Sequence, residues 1–467
     1  MASIIRSSEF IADIKVDCLI IGGGAAGLTA ALAASETGAN VLVAERENRL
    51  SGSTALSSGL IPAAGTKSQK KQSIADSEDV FFADIMSKNN NTADVDYVKQ
   101  IVSQIPITID WLSDKYGIDF HVLENFLYPG HTIHRMHTVP EKTGAGLIHR
   151  LEKAVLTQDV TVATAVRVNQ LVVNETDTAI GAICWRPDGS REAIGAATII
   201  LACNGYGANA DLIAEHIPEM KDALYFGHPG NQGEAILWGK ALGAELLNLS
   251  GYQGHGSVAH PHGVLVTWAL MMEGAIQINK EGRRFSNEHN GYSEQAVSVL
   301  RQPEKIAFNI FDERLAILGR NFDDFKKAEE SGALIKAGSS EALSRKIGVD
   351  LSTFRKTLAA CERYVNKEQV DPFGRHFEPS KSLTSPYYAV KVTGALFHTQ
   401  GGLRVNCDAQ ICRPNGIHFD NIFACGGAAC GVSGPDVSGY LSGNGLLTAL
   451  SLGQIAGNNA GQMTSQL

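Results

Sequence analysis

A strand, a glycine-rich turn and a helix follow one another within the first 45 residues. Val16–Ile21 is an apolar run of strand length, and Gly22–Gly27 follows it directly as Gly-Gly-Gly-Ala-Ala-Gly. The Ala- and Leu-rich segment 28–35 is typical of a helix, and Val41–Ala44 is a second apolar strand that ends at Glu45. This order of strand, G-x-G-x-x-G turn, helix, strand and acidic residue predicts a dinucleotide-binding unit in a parallel α/β sheet.

Each position of this motif has a physical task. Gly22 permits the tight turn, Gly24 lets the backbone approach a pyrophosphate, and Gly27 lets helix and strand pack closely. The phosphates are expected at the helix N-terminus, where N–H groups and the helix dipole favour anions. Glu45 is placed to accept a hydrogen bond from a ribose hydroxyl. A purely structural turn is the alternative, but the strand–helix–strand order favours the nucleotide.

Later segments favour FAD over NAD. The small, hydroxyl-rich segment 50–59 follows the acidic strand end closely. Apolar strands also run into glycines at 197–207 and at 414–427. NAD dehydrogenases lack such a layout along the whole chain, so the sequence predicts a flavoprotein.

Composition excludes other classes of protein. The 467-residue chain has 44% hydrophobic residues and a formal net charge of −9 without a basic stripe, so nucleic acid is not an expected partner. No stretch approaches the roughly 18 apolar residues of a membrane helix, and no export signal is recognised at the N-terminus. A cytoplasmic location is therefore expected.

The eight cysteines are expected to be reduced thiols, because their density is too low for a disulfide scaffold. Cys407, Cys412, Cys425 and Cys430 form two C-x4-C pairs, which makes a zinc site the alternative. No histidine lies at ligand spacing, and two of the four cysteines lie in strand-like or glycine-rich segments. This pattern favours buried thiols.

Six longer segments resemble the fumarate reductase/succinate dehydrogenase flavoprotein superfamily, which includes the 3-ketosteroid dehydrogenases. They are IIGGGAAGLTAALAA, GSTALSSG, IILACNGYGAN, INKEGRRFSNE, GALFHTQGGLRV and SGYLSGNGLLTALSLGQIAG. The resemblance implies an α/β fold, with a Rossmann-like FAD-binding domain built around a parallel sheet from residues 1–250 and 399–467. It also implies an inserted α+β capping domain at 251–398 that closes over the flavin. In the family the substrate lies between this cap and the flavin ring.

The resemblance further implies a flavin held without a covalent bond. Relatives that link FAD covalently use a histidine in the segment that matches 51–59, and this segment has none. The residues expected to contact FAD lie in or near the glycine-rich turns and strand ends. They are Gly22, Gly24, Ala25, Ala26, Gly27, Glu45, Ser53, Thr54, Ser58, Gly59, Val166, Asn204, Gly205, Gly427, Asn444 and Leu446.

Part of the family's substrate-binding pattern is kept. Its fumarate reductases hold a dicarboxylate with two histidines, a Thr-Glu pair and an arginine, and a further arginine protonates the substrate carbon. The resemblance implies substrate contacts for His255 and Thr267 in YQGHGSVAHPHGVLVTW and a catalytic role for His398 in FHTQGG.

Three positions depart from that pattern. Trp268 stands where a glutamate follows the threonine. Tyr292, after the RFSNE motif, stands at the place of the proton-donating arginine, and Tyr440 replaces the carboxylate-binding arginine in SGYLSGNG. This loss of cations disfavours fumarate and succinate. Arg284 and Glu288 of RFSNE are expected to stabilise the cap.

Both tyrosines instead resemble those of the ketosteroid dehydrogenases. In those enzymes one tyrosine removes the α-proton of a ketone, and another, four residues before a backbone donor, hydrogen-bonds the carbonyl oxygen. The resemblance assigns these roles to Tyr292, Tyr440 and Asn444. A C–H group next to a ketone is acidic enough for a side chain only when the carbonyl oxygen accepts a strong hydrogen bond.

The segment 128–137 holds three histidines and Arg135. Arg135 is predicted to bind a substrate carboxylate in a bidentate fork. A metal site, a polar substrate wall and a solvated loop are the alternatives for the segment as a whole.

The sequence therefore predicts FAD-dependent α,β-dehydrogenation of a cyclic ketone, with a separate electron acceptor. A small oxo acid, such as an oxocyclohexanecarboxylate, fits both sets of residues. Its ketone would contact the tyrosines, and its carboxylate would contact the histidines and the arginine. One alternative is a fumarate reductase-like ene-reductase of a small unsaturated acid. The other is a flavin-bearing electron-transfer subunit, which the lack of a C-x-x-C-H haem motif disfavours.

Overall fold

The computed structural model describes residues 2–124 and 126–464. Its strands are β1 Ser3–Arg6, β2 Ile14–Ile21, β3 Val41–Ala44, β4 Ile61–Pro62, β5 His121–Val122, β6 Met136–Thr138, β7 Val160–Ala163, β8 Arg167–Val173, β9 Ala179–Trp185, β10 Arg191–Leu201, β11 Leu224–Tyr225, β12 Leu246–Leu247, β13 Tyr252–Ala259, β14 Val264–Leu265, β15 Ile276–Ile278, β16 Ile306–Asp312, β17 Leu334–Ala337, β18 Tyr387–Thr399, β19 Gly402–Leu403, β20 Gln410–Cys412 and β21 His418–Ala424.

Its helices are α1 Ala25–Ser35, α2 Gly52–Leu56, α3 Lys67–Lys71, α4 Glu78–Lys88, α5 Val95–Tyr116, α6 Gly144–Leu156, α7 Ala210–His216, α8 Glu234–Leu242, α9 Ala269–Met272, α10 Tyr292–Leu300, α11 Glu313–Gly319, α12 Asp323–Glu330, α13 Ser340–Ile347, α14 Leu351–Val365 and α15 Asn444–Thr464. The chain divides into two compact units. The first comprises the chain up to Pro218, Gly227–Tyr252 and the chain from His398 onward, and the second comprises Glu219–Phe226 and Gln253–Phe397.

The first unit is built on a nine-stranded mixed sheet. Its path runs β1-β8-β9-β10-β2-β3-β7, and β21 pairs in parallel with the end of β10 and also with β20. The pairs of β2 with β3 and with β10 are parallel, as predicted for a dinucleotide-binding sheet. Helix α1 is buried over residues 25–34 and packs against α15, because its alanines allow close approach.

The second unit is an α+β arrangement. Its sheet runs β14-β13-β18-β16-β15, and β11 and β17 also pair with β18. Pairing is antiparallel between β16 and both β15 and β18, while β11 runs parallel to β18. Together the two units confirm the predicted α/β class with an additional α+β unit.

A buried ion network lies inside the second unit, around the RFSNE motif. Arg284 pairs with Glu288 and with Asp371, at 2.7 Å in each case, and Arg375 lies 3.0 Å from Glu288. The arginine charges outweigh the effect of burial and hold the pKa of Glu288 at about 2. These contacts support the structural role predicted for Arg284 and Glu288.

We expect Glu288→Gln to lower the free energy of unfolding by about 3–5 kcal/mol at pH 7, since it leaves buried guanidinium charge uncompensated. The folded-state pKa of Glu288 lies below its usual value, so its contribution is complete above about pH 4.5 and disappears as the pH falls towards 2. The difference between wild type and variant, measured by denaturant titration, should therefore shrink in acid. Glu281→Gln, at an exposed position of the same segment, is the control. Equal effects of both substitutions would contradict the prediction.

Candidate active site

The glycine-rich turn has the geometry that a dinucleotide requires. Gly22 has φ of 114°, and a Cβ added there would lie 2.5 Å from the carbonyl oxygen of Ala202. A Cβ on Gly27 would lie 1.9 Å from the Gly22 carbonyl oxygen, so any side chain would separate helix from turn. At Gly24 the nearest atom to an added Cβ is Thr54 Oγ1 at 3.7 Å, which leaves room beside the α1 N-terminus. These residues fit a bound pyrophosphate.

Glu45 is oriented by two backbone N–H groups. Its Oε2 accepts from Gly23 at 2.7 Å and its Oε1 accepts from Glu47 at 2.9 Å, and the residue is 8% exposed. Each carboxylate oxygen keeps a second lone pair, so the group can still accept from a ribose hydroxyl. Val166, another predicted FAD contact, donates its N–H to the Glu45 carbonyl at 2.8 Å.

Several other predicted FAD contacts are linked to one another in the first unit. Asn204 Nδ2 donates to Ser53 Oγ at 2.8 Å, and its Oδ1 accepts from the Gly205 N–H at 2.8 Å. Thr54 Oγ1 accepts from the Ala25 N–H at 3.2 Å, at the start of α1. Asn231, which the sequence analysis did not single out, also donates to Ser53 Oγ at 2.9 Å. The remaining predicted contacts vary in burial, with Ser58 exposed, Gly427 and Leu446 intermediate, and Ala26, Gly59 and Asn444 buried.

We expect acid precipitation of the purified protein to release FAD into the supernatant. Segment 51–59, which includes α2, carries no histidine, cysteine or tyrosine that could form a covalent bond to the flavin. The measurement is flavin absorbance in supernatant and pellet. Flavin that stays in the washed pellet would contradict the prediction.

Tyr440 lies in the first unit, just before α15, and is 6% exposed. Burial raises the pKa of its phenol, while hydrogen bonds from the backbone N–H groups of Gly443 and Gly445 act in the opposite direction. Since these N–H groups occupy lone pairs of the phenol oxygen, the O–H proton points elsewhere and can be donated. The ring meets His398 edge-on, with centroids 5.6 Å apart.

His398 is held by a chain of polar side chains in the same unit. Gln400 Nε2 lies 3.0 Å from His398 Nδ1, and Gln400 Oε1 accepts from Ser433 Oγ at 2.6 Å. Ser433 Oγ in turn accepts from Asn444 Nδ2 at 2.9 Å. Gln400 Nε2 can only donate to His398 Nδ1, whereas the Thr399 carbonyl oxygen, 3.1 Å from the same atom, can only accept, so these contacts are compatible with either tautomer of the ring. Burial lowers the pKa of His398, so the ring is neutral at pH 7.

The side-chain oxygen of Asn444 is an unused hydrogen-bond acceptor. Its Oδ1 is buried, and no described residue donates a hydrogen bond to it. A buried acceptor without a donor is costly, so a bound group with an N–H or O–H fits there. Gln400 and Ser433 were not singled out from the sequence. The polar residue between His-Thr and Gly-Gly in FHTQGG is the only signal for Gln400.

In the second unit His255 lies inside a group of aromatic rings. It stacks on Tyr292 at 4.8 Å between centroids, meets Trp268 edge-on at 5.7 Å and packs against Phe397 at 5.4 Å. His255 Nδ1 accepts from the Ser257 N–H at 3.1 Å, so its Nε2 carries the proton. Burial lowers the pKa of His255 to about 3, which keeps the ring neutral.

Tyr292 is the first residue of α10 and is half-buried. The next residue, Ser293, accepts a hydrogen bond from the Gly254 N–H at 2.8 Å, next to His255. This bond ties the start of α10 to β13 and so maintains the stacked pair. Thr267 is half-buried, and its Oγ1 accepts from the Ala269 N–H at 3.3 Å.

The prediction that Arg135 binds a substrate carboxylate is wrong for physical reasons. Its guanidinium is 0% exposed, pairs with Asp76 at 2.9 Å and also pairs with Asp84. The guanidinium carbon lies 4.7 Å from the centre of the Phe81 ring. Two carboxylates already occupy its donors, so it is a structural residue of the first unit.

Two of the three histidines of segment 128–137 are buried and therefore not part of a solvated loop, whereas His134 is partly exposed. His131 is 5% and His137 0% exposed, and burial lowers the pKa of each to about 4. His137 hydrogen-bonds Thr66 Oγ1 at 2.7 Å. Within residues 2–124 and 126–464, no group of three or more His, Cys, Asp or Glu side chains is arranged to hold a metal ion.

Cys412, Cys425 and Cys430 are buried thiols, as predicted, whereas Cys407 is exposed. The expectation of burial is therefore wrong for Cys407, which lies in the turn before β20. Among the described helices, none is both long and apolar enough to cross a membrane.

Comparison with known proteins identifies the family. The profile of the family described as FAD binding domain matches residues 17–446, so the chain belongs to this family. The probable fumarate reductase Ifc3 of Shewanella frigidimarina is 30% identical over 447 residues, which are 95% of this chain and 74% of that protein. These matches also confirm membership of the fumarate reductase/succinate dehydrogenase flavoprotein superfamily and FAD as the cofactor.

Two solved structures are similar over nearly the whole chain. The open conformation of a flavocytochrome c3 fumarate reductase has a TM-score of 0.82 and 29% identity, and the match covers 97% of this chain and 79% of that one. The 3-ketosteroid-Δ4-(5α)-dehydrogenase of Rhodococcus jostii RHA1, solved with 4-androstene-3,17-dione, has a TM-score of 0.78 and 23% identity, with coverage of 99% and 100%. At that identity the second similarity concerns the fold alone.

Proposed function

We propose that this FAD-binding oxidoreductase, a member of the fumarate reductase superfamily, desaturates the α,β carbon–carbon bond of an uncharged cyclic ketone. The class of reaction, a redox change of a CH–CH or C=C group, follows from the superfamily. The choice of a ketone depends chiefly on Tyr440, a buried phenol whose oxygen already accepts two backbone N–H groups.

Tyr440 is suited to donate to a carbonyl oxygen. A donor fixed before the reaction stabilises the negative charge that develops on that oxygen when the α-proton leaves. Its raised pKa keeps the phenol protonated at neutral pH, so the donor is always present. An acid-only substrate such as fumarate would gain less from a neutral phenol than from an arginine.

Tyr292 is proposed to take the α-proton. Its ring is held by stacking on His255, and α10 is tied to β13 through Ser293, so the phenol has a defined position. Tyr292 acts here as its phenolate: it takes the α-proton and becomes a neutral phenol, the β-carbon loses a hydride, and a C=C bond forms between the two carbons. FAD, when bound, supplies the acceptor for that hydride, and a separate electron acceptor then removes the electrons from the protein.

The substrate is proposed to be uncharged. The candidate residues that remain include no arginine or lysine, and burial lowers the pKa values of His255 and His398, so the set offers no cation to a carboxylate at pH 7. They are Tyr292, Tyr440, His398, His255, Thr267 and Asn444. Arg135, the cation needed for an oxo acid, is neutralised by Asp76 and Asp84. The oxocyclohexanecarboxylate alternative therefore loses its main support.

Anaerobic mixing of the FAD-loaded protein with a panel of ketones tests this proposal. The panel pairs cyclohexanone and a saturated 3-ketosteroid with ring ketones that carry a carboxylate. Bleaching of the flavin by an uncharged ketone, with formation of the enone, is the expected result. Bleaching by the carboxylated ketones alone would overturn the uncharged substrate class, and no bleaching by any ketone would overturn desaturation.

Reduction of an unsaturated acid is the second candidate function. It is favoured by the similarity to a probable fumarate reductase and by the retained His255, Thr267 and His398. Reduced methyl viologen with fumarate, acrylate or cyclohexenone as oxidant distinguishes the two. Turnover with the acids and not with the enone would favour this second function.

A further inference from the structure

A continuous chain of hydrogen bonds leads from the charge of Arg135 to the phenol of Tyr440. It passes through the His131 ring and through the peptide group between Ser442 and Gly443. We propose that His131, held by Arg135, polarises this peptide group and thereby makes Tyr440 a stronger hydrogen-bond donor. This proposal rests on the role given to Tyr440 above, and it makes His131 a positioning and tuning residue for the reaction.

The first link fixes the protonation of His131. Arg135 Nη1 lies 3.4 Å from His131 Nδ1, while Asp76 and Asp84 hold the rest of the guanidinium. A guanidinium has no acceptor, so Nδ1 must accept and Nε2 must carry the proton. Burial and the Arg135 charge lower the pKa of His131 to about 4, which keeps the ring neutral at pH 7.

The second link joins His131 to the Tyr440 loop. His131 Nε2 lies 3.0 Å from the Ser442 carbonyl oxygen, to which it donates its proton. The same peptide group carries the Gly443 N–H, which hydrogen-bonds the Tyr440 phenol oxygen. A peptide whose carbonyl accepts a hydrogen bond becomes a better N–H donor, because hydrogen bonds in series polarise one another.

The loop that carries His131 is fixed against the Tyr440 segment. Asp84 accepts from the N–H of Thr132 at 2.9 Å and from its hydroxyl at 3.0 Å. A Cβ added to Gly130 would lie 2.7 Å from Leu441, so the two segments are in close contact. The histidine- and arginine-rich segment thus gains a function that needs no contact with substrate.

The strengthened donor can be measured without any substrate. Fluorination lowers the pKa of a phenol, so a fluorinated tyrosine in place of Tyr440 can be titrated by ¹⁹F NMR in the FAD-loaded protein. His131→Leu should raise the pKa of this phenol by about one pH unit. Without His131 the Gly443 N–H is less polarised, so it stabilises the phenolate less. His131→Gln, which keeps an N–H near the Nε2 position, should restore most of the wild-type value.

His137→Asn is the matched control. His137 lies in the same segment, is fully buried and hydrogen-bonds the Arg135 carbonyl at 2.9 Å, but its Nε2 contacts Thr66 Oγ1 and not the Tyr440 loop. This variant should leave the fluorinated phenol unchanged. Equal shifts in His131→Leu and His137→Asn would show a general loss of packing and would overturn the proposal.

Kinetics with the ketone that bleaches the flavin provide the second test. His131→Leu should lower kcat about tenfold with little change in KM, and this loss should vanish in a Tyr440→Phe background. Additive losses would overturn the proposal. If no ketone reacts but the NMR shift is found, the proposed function fails while the tuning of Tyr440 by His131 stands. If ketones react but the NMR shift is absent, the proposed function stands and the tuning by His131 is overturned.

Discussion

Tyr440→Phe is expected to lower the rate of flavin reduction by a ketone about 10²–10³-fold, the usual effect of losing one donor to a developing oxyanion. The substitution removes a single hydroxyl from a side chain that is 6% exposed. The ring can still meet His398 edge-on, so the surrounding packing should persist. Anaerobic stopped-flow measurement of flavin bleaching gives the rate, and ligand titration gives the binding constant.

Tyr97→Phe is a matched control for that experiment. Tyr97 belongs to the same unit, and its buried hydroxyl donates to the Cys430 carbonyl at 2.7 Å. Loss of this bond should cost about 1 kcal/mol of stability and leave flavin reduction near the wild-type rate. Near-normal turnover of Tyr440→Phe, or an equal loss in Tyr97→Phe, would remove Tyr440 from the proposed mechanism.

The sequence predicts the dinucleotide-binding turn well because the relevant constraints are local. Gly22 and Gly27 are required by contacts with the turn itself and with the adjacent strand end, and the flanking β2 and β3 follow from short apolar runs. The observed strands Ile14–Ile21 and Val41–Ala44 accordingly match the prediction, with β2 extended by two residues.

The role of Arg135 could not be predicted in the same way. Its partners Asp76 and Asp84 lie 59 and 51 residues away along the chain, and only the tertiary structure shows that both face the guanidinium. An arginine near histidines has the same sequence pattern whether it binds a ligand or neutralises buried carboxylates. Burial distinguishes the two, and burial of a long polar side chain is a property of the whole fold.

The polar chain that orients His398 was missed for a related reason. Gln400 and Ser433 are separated by 33 residues and meet only because their segments lie side by side. Neither residue type is itself a sign of catalysis. Their importance comes from the hydrogen bonds by which they hold the His398 ring in place, and these depend on the tertiary structure and not on sequence spacing.

Tyr292→Phe is expected to have the largest effect, a fall in flavin reduction by the ketone of about 10³–10⁴-fold, because it removes the proposed base. Binding should remain measurable, since the phenylalanine ring can still stack on His255, 4.8 Å away. Tyr388→Phe is the matched control. Tyr388 belongs to the same unit, its hydroxyl donates a hydrogen bond to Glu313, and its ring packs on Phe311. The control should lose stability and keep its rate of flavin reduction.

Loss of deuterium from the α-carbon of a labelled ketone separates proton abstraction from hydride transfer. With the wild-type protein this loss should accompany flavin bleaching, and with Tyr292→Phe it should stop, whereas in Tyr440→Phe it should slow in parallel with bleaching. A Tyr292→Phe protein that still washes out the label but no longer bleaches would assign the residue to hydride transfer instead. If the label is lost at the wild-type rate and bleaching also continues, another group is the base.

Because a tyrosine can give or take a proton, Tyr292→Phe should also fail to reduce cyclohexenone with reduced methyl viologen. The reverse reaction needs a proton returned to the same α-carbon, and this variant has no phenol to supply it.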